Sequence, residues 1–190
     1  MKIMKTIQLN LYPFNELAEA AKAKVLIKHA DINLTYEWWS FIYEDAMSIG
    51  LAIYGFELDR DYCCNAAFIQ DASYSAALII ATFGEHTDTY QIARTFQKER
   101  ERIVTEWPRD ENRDLMDGRG LDNLLEALDG AFFKAMTAIY LRLLLDCYND
   151  LTGKESIMET ITDNHYYFTA DGQLATRLET LAGTQRTFYL

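Results

Sequence analysis

Only two prolines and nine glycines punctuate the 190 residues. So few breakers argue against an array of short strands and favour long helices. Three cysteines, Cys63, Cys64 and Cys147, are too few for a disulfide-stapled scaffold, and bridging the vicinal pair strains its backbone. The start, "MKIMKTIQLNLYPF", has no apolar leader core, so the expected setting is a reducing cytoplasm. The most apolar stretch, residues 131–148, is interrupted by Lys134, Arg142 and Asp146, which predicts a buried helix and no membrane span. Basic runs are absent too. The net charge is −11 and each third of the chain is acidic, which argues against direct binding of nucleic acid. The same charge suits a basic partner, such as a protein that itself binds nucleic acid.

Catalytic and metal-binding patterns are missing as well. His29, His86 and His165 fall on different predicted elements, and Cys63-Cys64 lacks the spacing of a zinc knuckle. No metal and no cofactor are expected. No glycine-rich loop follows a strand, and "DGRG", residues 117–120, reads as a turn. A cysteine nucleophile needs a histidine and an electropositive setting, whereas "DRDYCC" is locally acidic, which raises a thiol pKa. Buried packing is the expectation for Cys63 and Cys64.

What the chain does contain is 49% hydrophobic and 25% charged residues, the mixture of a folded globular protein. Residues 3–11 alternate as a strand that Pro13 ends, with Ile7, Leu9 and Leu11 on one face. Helices are predicted over 15–30 with Asn15 as N-cap, and over 36–49 with Gly50 as the left-handed stop. Strand 51–58 follows, and 62–69 is either a second strand or a loop. Asp71 caps a helix that ends at Gly84, and a helix over 89–107 presents "QKERERIVTE" to solvent. The longest helix, 121–150, carries a stripe of Leu121, Leu125, Leu128, Phe132, Ala135, Ile139 and Leu143. A short helix over 155–162 precedes a hairpin at "YYFTADGQLA" that turns at Asp171-Gly172. The fold class is α+β: a small antiparallel sheet, from 3–11, 51–58 and 62–69, packed against a helical bundle with one long central helix. A single domain, 1–190, is expected, with the loop 108–120 as its best internal boundary.

The densest chemistry is "YEWWSFIYED", residues 36–45. On a helix Trp38 and Trp39 point about 100° apart, so one belongs with Phe41 in the core and the other at an edge. Trp39 and Tyr43 share a stripe and are candidate anchors for a partner. Glu44 and Asp45 diverge on the helix, which suits an acidic flank and not a catalytic pair. Glu57, Asp59 and Asp61 alternate, so on a strand they share a face that protects an edge, holds a hard cation or mimics a row of phosphates.

The segments "LYPFNELAEAAKAKV", "YEWWSFIYEDAMSIGLAIYGFELDRDYCCNAAFIQDA", "TYQIARTFQKERE" and "TDNHYYFTADG" resemble a group of small acidic proteins encoded by phages and prophages, often labelled antitoxin-like. The resemblance spans most of residues 12–172. It implies a virus-encoded protein acting in the bacterial host cytoplasm, and it carries no site residue. Combined with the charge, the expected function is binding and inhibition of a host defence protein, in the manner of anti-CRISPR inhibitors and in competition with nucleic acid. Trp39, Tyr43, Glu44, Asp45, Glu57, Asp59 and Asp61 are the candidate contacts, with a homo-oligomer compatible. Two other readings remain open: an antitoxin for a cognate toxin, and an enzyme whose dispersed site would bring Asp59 and Asp61 together with a histidine in a deep pocket.

Overall fold

The computed structural model describes residues 9–112, 116 and 118–175. The chain divides into two compact units, one drawn from residues 1–37 and 148–190 and the other from 38–147.

In the first unit, β1 (Tyr12–Pro13) pairs antiparallel with β4 (Tyr167–Phe168). The expected strand over 3–11 is corrected where it can be seen: residues 9–11 are irregular and the ladder begins at Tyr12. Residues 3–8 of that strand lie outside the described residues. Helix α1 runs Glu19–Lys28 and does not start at Asn15. Phe14–Glu16 form one 3-10 turn, and Leu17 and Ala18 are extended. This break turns both Phe14 and Leu17 inward, to join Ala21, Val25, Ile157, Ile161 and Phe168 in one core. Burial of two large side chains outweighs the helix propensity of the segment. The last residues of the long helix α5 (Gly118–Thr152) and all of α6 (Lys154–Asp163) complete the unit.

One side chain ties its elements together. The Asn33 amide donates to the Leu151 carbonyl at 2.9 Å and the Ser156 hydroxyl at 3.0 Å, and its oxygen accepts from Thr160 at 2.7 Å. Helix α6 closes with His165 in the left-handed region (φ 51°), where its N–H donates to Thr162 and that of Tyr166 to Ile161. The expected tight turn is present: Thr169 and Gln173 bond across it, Phe168 bridges Leu174, and Gly172 has φ 86°.

The second unit holds α2 (Ser40–Ser48), the antiparallel hairpin β2 (Leu51–Glu57) and β3 (Cys63–Phe68), α3 (Ala72–Thr82), α4 (Asp88–Glu106) and most of α5. Of the expected loop 108–120, residues 108–112 and 116 lie between α4 and α5, whereas 118–120, expected as part of a turn, are the first residues of α5. Caps set the helix starts as anticipated at α3, where Asp71 Oδ1 accepts from the Tyr74 N–H at 2.8 Å. At α4 the Thr87 hydroxyl accepts from Tyr90. Arg102 spans Glu99 and Glu106 on the solvent face of α4.

Three expectations need correction here. Residues 36–39 are not helical: Trp39 is the N-cap, and the buried stripe is Trp38, Ile42, Ala46 and Ile49. Phe41 is 58% exposed, because a helix that starts at Ser40 turns it away from that stripe. On α5 the buried face is Leu121, Phe132, Met136, Tyr140 and Leu144, while Leu143 is 41% exposed. The rotation is fixed by Phe132, stacked on Phe96 at 4.4 Å and on Phe68 at 5.5 Å, and by Tyr140, whose hydroxyl donates to Asp45. Finally, among the described residues the antiparallel structure is two separate two-stranded ladders, one per unit, and not a single three-stranded sheet. The α+β class with one long helix stands. No helix among the described residues is long and apolar enough to cross a membrane.

Gly50 (φ 78°) joins α2 to β2, and a Cβ there would sit 2.9 Å from the buried Ser75 Oγ. Gly50→Ala is expected to cost about 1–3 kcal/mol in urea unfolding, through strain and overlap together. Gly84→Ala, with open space around its Cβ, should stay within about 0.5 kcal/mol of the parent.

Candidate partner-binding surface

The site is built around Phe56, near the loop end of β2. Edge-on contacts come from Trp38 at 5.6 Å, Trp39 at 5.7 Å and Tyr43 at 6.3 Å, and the two tryptophan rings meet each other at 5.5 Å. Such T-shaped pairs set the negative face of one ring against the positive edge of the next, contributing about 0.5–1.5 kcal/mol each beyond burial. Trp38 is buried, while Trp39 and Tyr43 keep part of their rings in solvent. The division into one core and one edge tryptophan therefore holds, but the two rings do not diverge. Both precede the helix, where the turn lets each reach Phe56.

Phe56 is the residue that sequence alternation misses. Counting by twos from Leu51 and Ile53 places Gly55 on the inner face and Phe56 outside. The ladder slips between Ile53 and Gly55, so that Ile53 faces Ala66 and Phe56 faces Cys64. This irregularity returns Phe56 to the face of Ile53. A glycine inside a strand pattern was the available signal. It also leaves Tyr54 71% exposed, its hydroxyl donating to the Ala66 carbonyl at 3.2 Å.

The carboxylates are distributed differently from the expectation. Glu57 ends β2 opposite Cys63, so residues 58–62 form the loop and Asp59 and Asp61 do not share a strand face with it. The Asp59 N–H folds back to Glu57 Oε1 at 2.9 Å, and Tyr62 closes the loop with φ 34°. All three carboxylates are exposed. The structure thus joins Trp39 and Tyr43 to Phe56 and attaches the acidic loop to the same strand. Asp45, exposed on α2, is already engaged: its Oδ2 accepts the hydroxyl of fully buried Tyr140 at 2.8 Å. Burial first, and then Asp45, hold the Tyr140 phenol well above its usual pKa. Glu44 is exposed on α2.

Burial also raises the Tyr43 phenol, and it pushes the Cys64 thiol up to about 11, with neighbouring Cys63 adding to the shift. The direction matches the expectation, but the dominant cause is desolvation and not the local acids. No group of three or more potential metal ligands occurs among the described residues. Recesses of about 510, 400 and 320 Å³ in this unit are lined from α3, α4 and α5, and neither Asp59 nor Asp61 enters them. The hairpin end offers half-exposed aromatic rings beside a carboxylate loop, a chemistry of contact. No family model, curated protein or solved structure matches the chain.

Alkylation reports the Cys64 environment. In a variant retaining only this cysteine, the folded-state rate at pH 8 should be at least tenfold below that in urea, because burial, the larger cause of the raised pKa, is kept. The unfolded thiol should level off near its ordinary value of 9.0. Equal rates in the two states would show that the thiol is open to solvent.

Proposed function

We propose that this protein is a phage-encoded inhibitor that binds a host defence protein in the bacterial cytoplasm. The observation that carries the reading is the Trp39–Phe56–Tyr43 cluster with the exposed Glu57, Asp59 and Asp61 loop beside it, in a chain of net charge −11. Half-exposed aromatic rings are efficient anchors: they bury much area at little cost in side-chain entropy. Carboxylates around them steer a basic partner toward the encounter and disfavour acidic ones. A basic surface evolved for nucleic acid fits both features. Occupying it would exclude DNA or RNA, as anti-CRISPR inhibitors do. The phage context comes from the sequence resemblance, and the partner chemistry from the surface.

Tagged protein expressed in a bacterium carrying a nuclease-based defence should recover an effector subunit and raise phage plating. Trp39→Ala and Tyr43→Ala should each weaken capture by about 2 kcal/mol, roughly thirtyfold, with an unchanged circular dichroism spectrum. Asp59→Asn combined with Asp61→Asn should slow association and flatten its salt dependence. Recovery of no effector together with unaltered plating sinks the proposal. Rescue from one toxin encoded alongside would replace it with the antitoxin reading.

A further inference from the structure

We propose that the cleft formed by α3 and α4 binds a small phosphate-bearing molecule. It is a groove of about 510 Å³ that is largely open to solvent. Three cations line it, Arg94, Lys98 and Arg100, against the single carboxylate of Glu101. In a chain with 29 acidic and 18 basic side chains, this concentration runs against the overall balance.

Two of the three cations are not spent on the fold. Arg94 and Lys98 make no ion pair or side-chain hydrogen bond among the described residues, and both are exposed. They stand one helical turn apart on α4, where two like charges weaken a helix. Arg102, four residues beyond Lys98, shows the contrast: it is held on both sides by Glu99 and Glu106. Arg100 Nη1 lies 3.6 Å from Asp129 Oδ1, beyond hydrogen-bond length, and both atoms are shielded from solvent without a hydrogen bond. The cleft therefore combines two uncommitted cations with a third whose charge is met in part by Asp129.

A phosphomonoester or diphosphate fits this arrangement better than a carboxylate. It carries close to two negative charges, which the two uncommitted cations Arg94 and Lys98 can meet, and its oxygens accept from several donors at once. Ser73 brings a hydroxyl to one wall and Val104 an apolar surface to the cleft, so an organic group attached to the phosphate has somewhere to rest. The cleft lies on α3 and α4, away from the residues assigned to partner binding, and its use is independent of that reading.

Titration of the full chain with pyrophosphate and with ATP, followed by calorimetry and amide chemical shifts, tests the proposal. Shifts are expected at Arg94, Lys98 and Ser73, and acetate should bind at least tenfold more weakly. The Arg94→Ala, Lys98→Ala pair should weaken both phosphates by tenfold or more while leaving the melting temperature unchanged or higher. Lys98→Arg should retain binding and Lys98→Glu should abolish it. Absence of binding at about 10 mM probe, or unaltered affinity in Lys98→Glu, would overturn the assignment. So would tighter binding of a short oligonucleotide than of either small phosphate, since the ligand would then be a polynucleotide.

Discussion

Phe132 lies stacked between Phe96 of α4 and Phe68 of β3, and the organisation of the second unit depends on that sandwich. The three rings join a helix, a strand and the longest helix of the chain at one point. Aromatic rings in near-parallel contact tolerate little sliding, so the stack fixes the rotation of α5 about its axis as well as its position. Two turns along, the same rotation delivers Tyr140 to Asp45 on α2. Fastening β3 also fastens β2 through the ladder, and with it Phe56, to which the tryptophans attach. The exposed aromatic edge is thus held by a core some distance away. Such an anchor presents its rings in a fixed pose, which limits the entropy lost when a partner covers them.

The unit shows two chemically distinct faces. At the hairpin end, aromatic rings are bordered by a loop of carboxylates that pair with no cation among the described residues. Along α4, Arg94 and Lys98 pair with no carboxylate among the described residues. Ion pairing between surface charges contributes little in water, so leaving these groups unpaired costs the fold little stability. The acidic and basic residues are therefore disposable for folding and available for contact, whereas Asp45 is not. Its carboxylate accepts the hydroxyl of a phenol almost wholly shielded from water, and neutralising it would leave that hydroxyl poorly matched.

Local chemistry was the readily legible part of this fold. Asp71 as a cap, Gly50 as a helix stop, Asp171-Gly172 as a turn and the extent of the long helix all follow from short-range rules, and all appear. Errors arose where tertiary packing outweighs propensity. Asn15 is a fair cap in isolation, but Phe14 and Leu17 reach the same core only if the backbone breaks between them. On α5 the expected stripe and the buried face share Leu121 and Phe132, and beyond Phe132 the buried face continues through Met136, Tyr140 and Leu144 in place of Ile139 and Leu143. At the candidate surface, Trp39 and Tyr43 were visible as aromatic residues in an acidic chain. Their shared neighbour Phe56 was hidden by a one-residue slip in the ladder, which inverts which side of a strand faces inward. Asp45 was placed with the acidic flank because a sequence shows charge but not a phenol arriving from ninety-five residues away.

The two halves of the first unit are separated in sequence by the whole of the second, residues 38–147. During synthesis the segment bearing Phe14, Leu17 and Val25 emerges long before Ile157, Ile161 and Phe168, the residues that cover it. Its apolar face waits for complementary chain that does not yet exist. The intervening segment has its own core and can condense meanwhile, shortening the loop that β1 and β4 must close. Chain connectivity thereby allows the inserted unit to condense before the enclosing one can close.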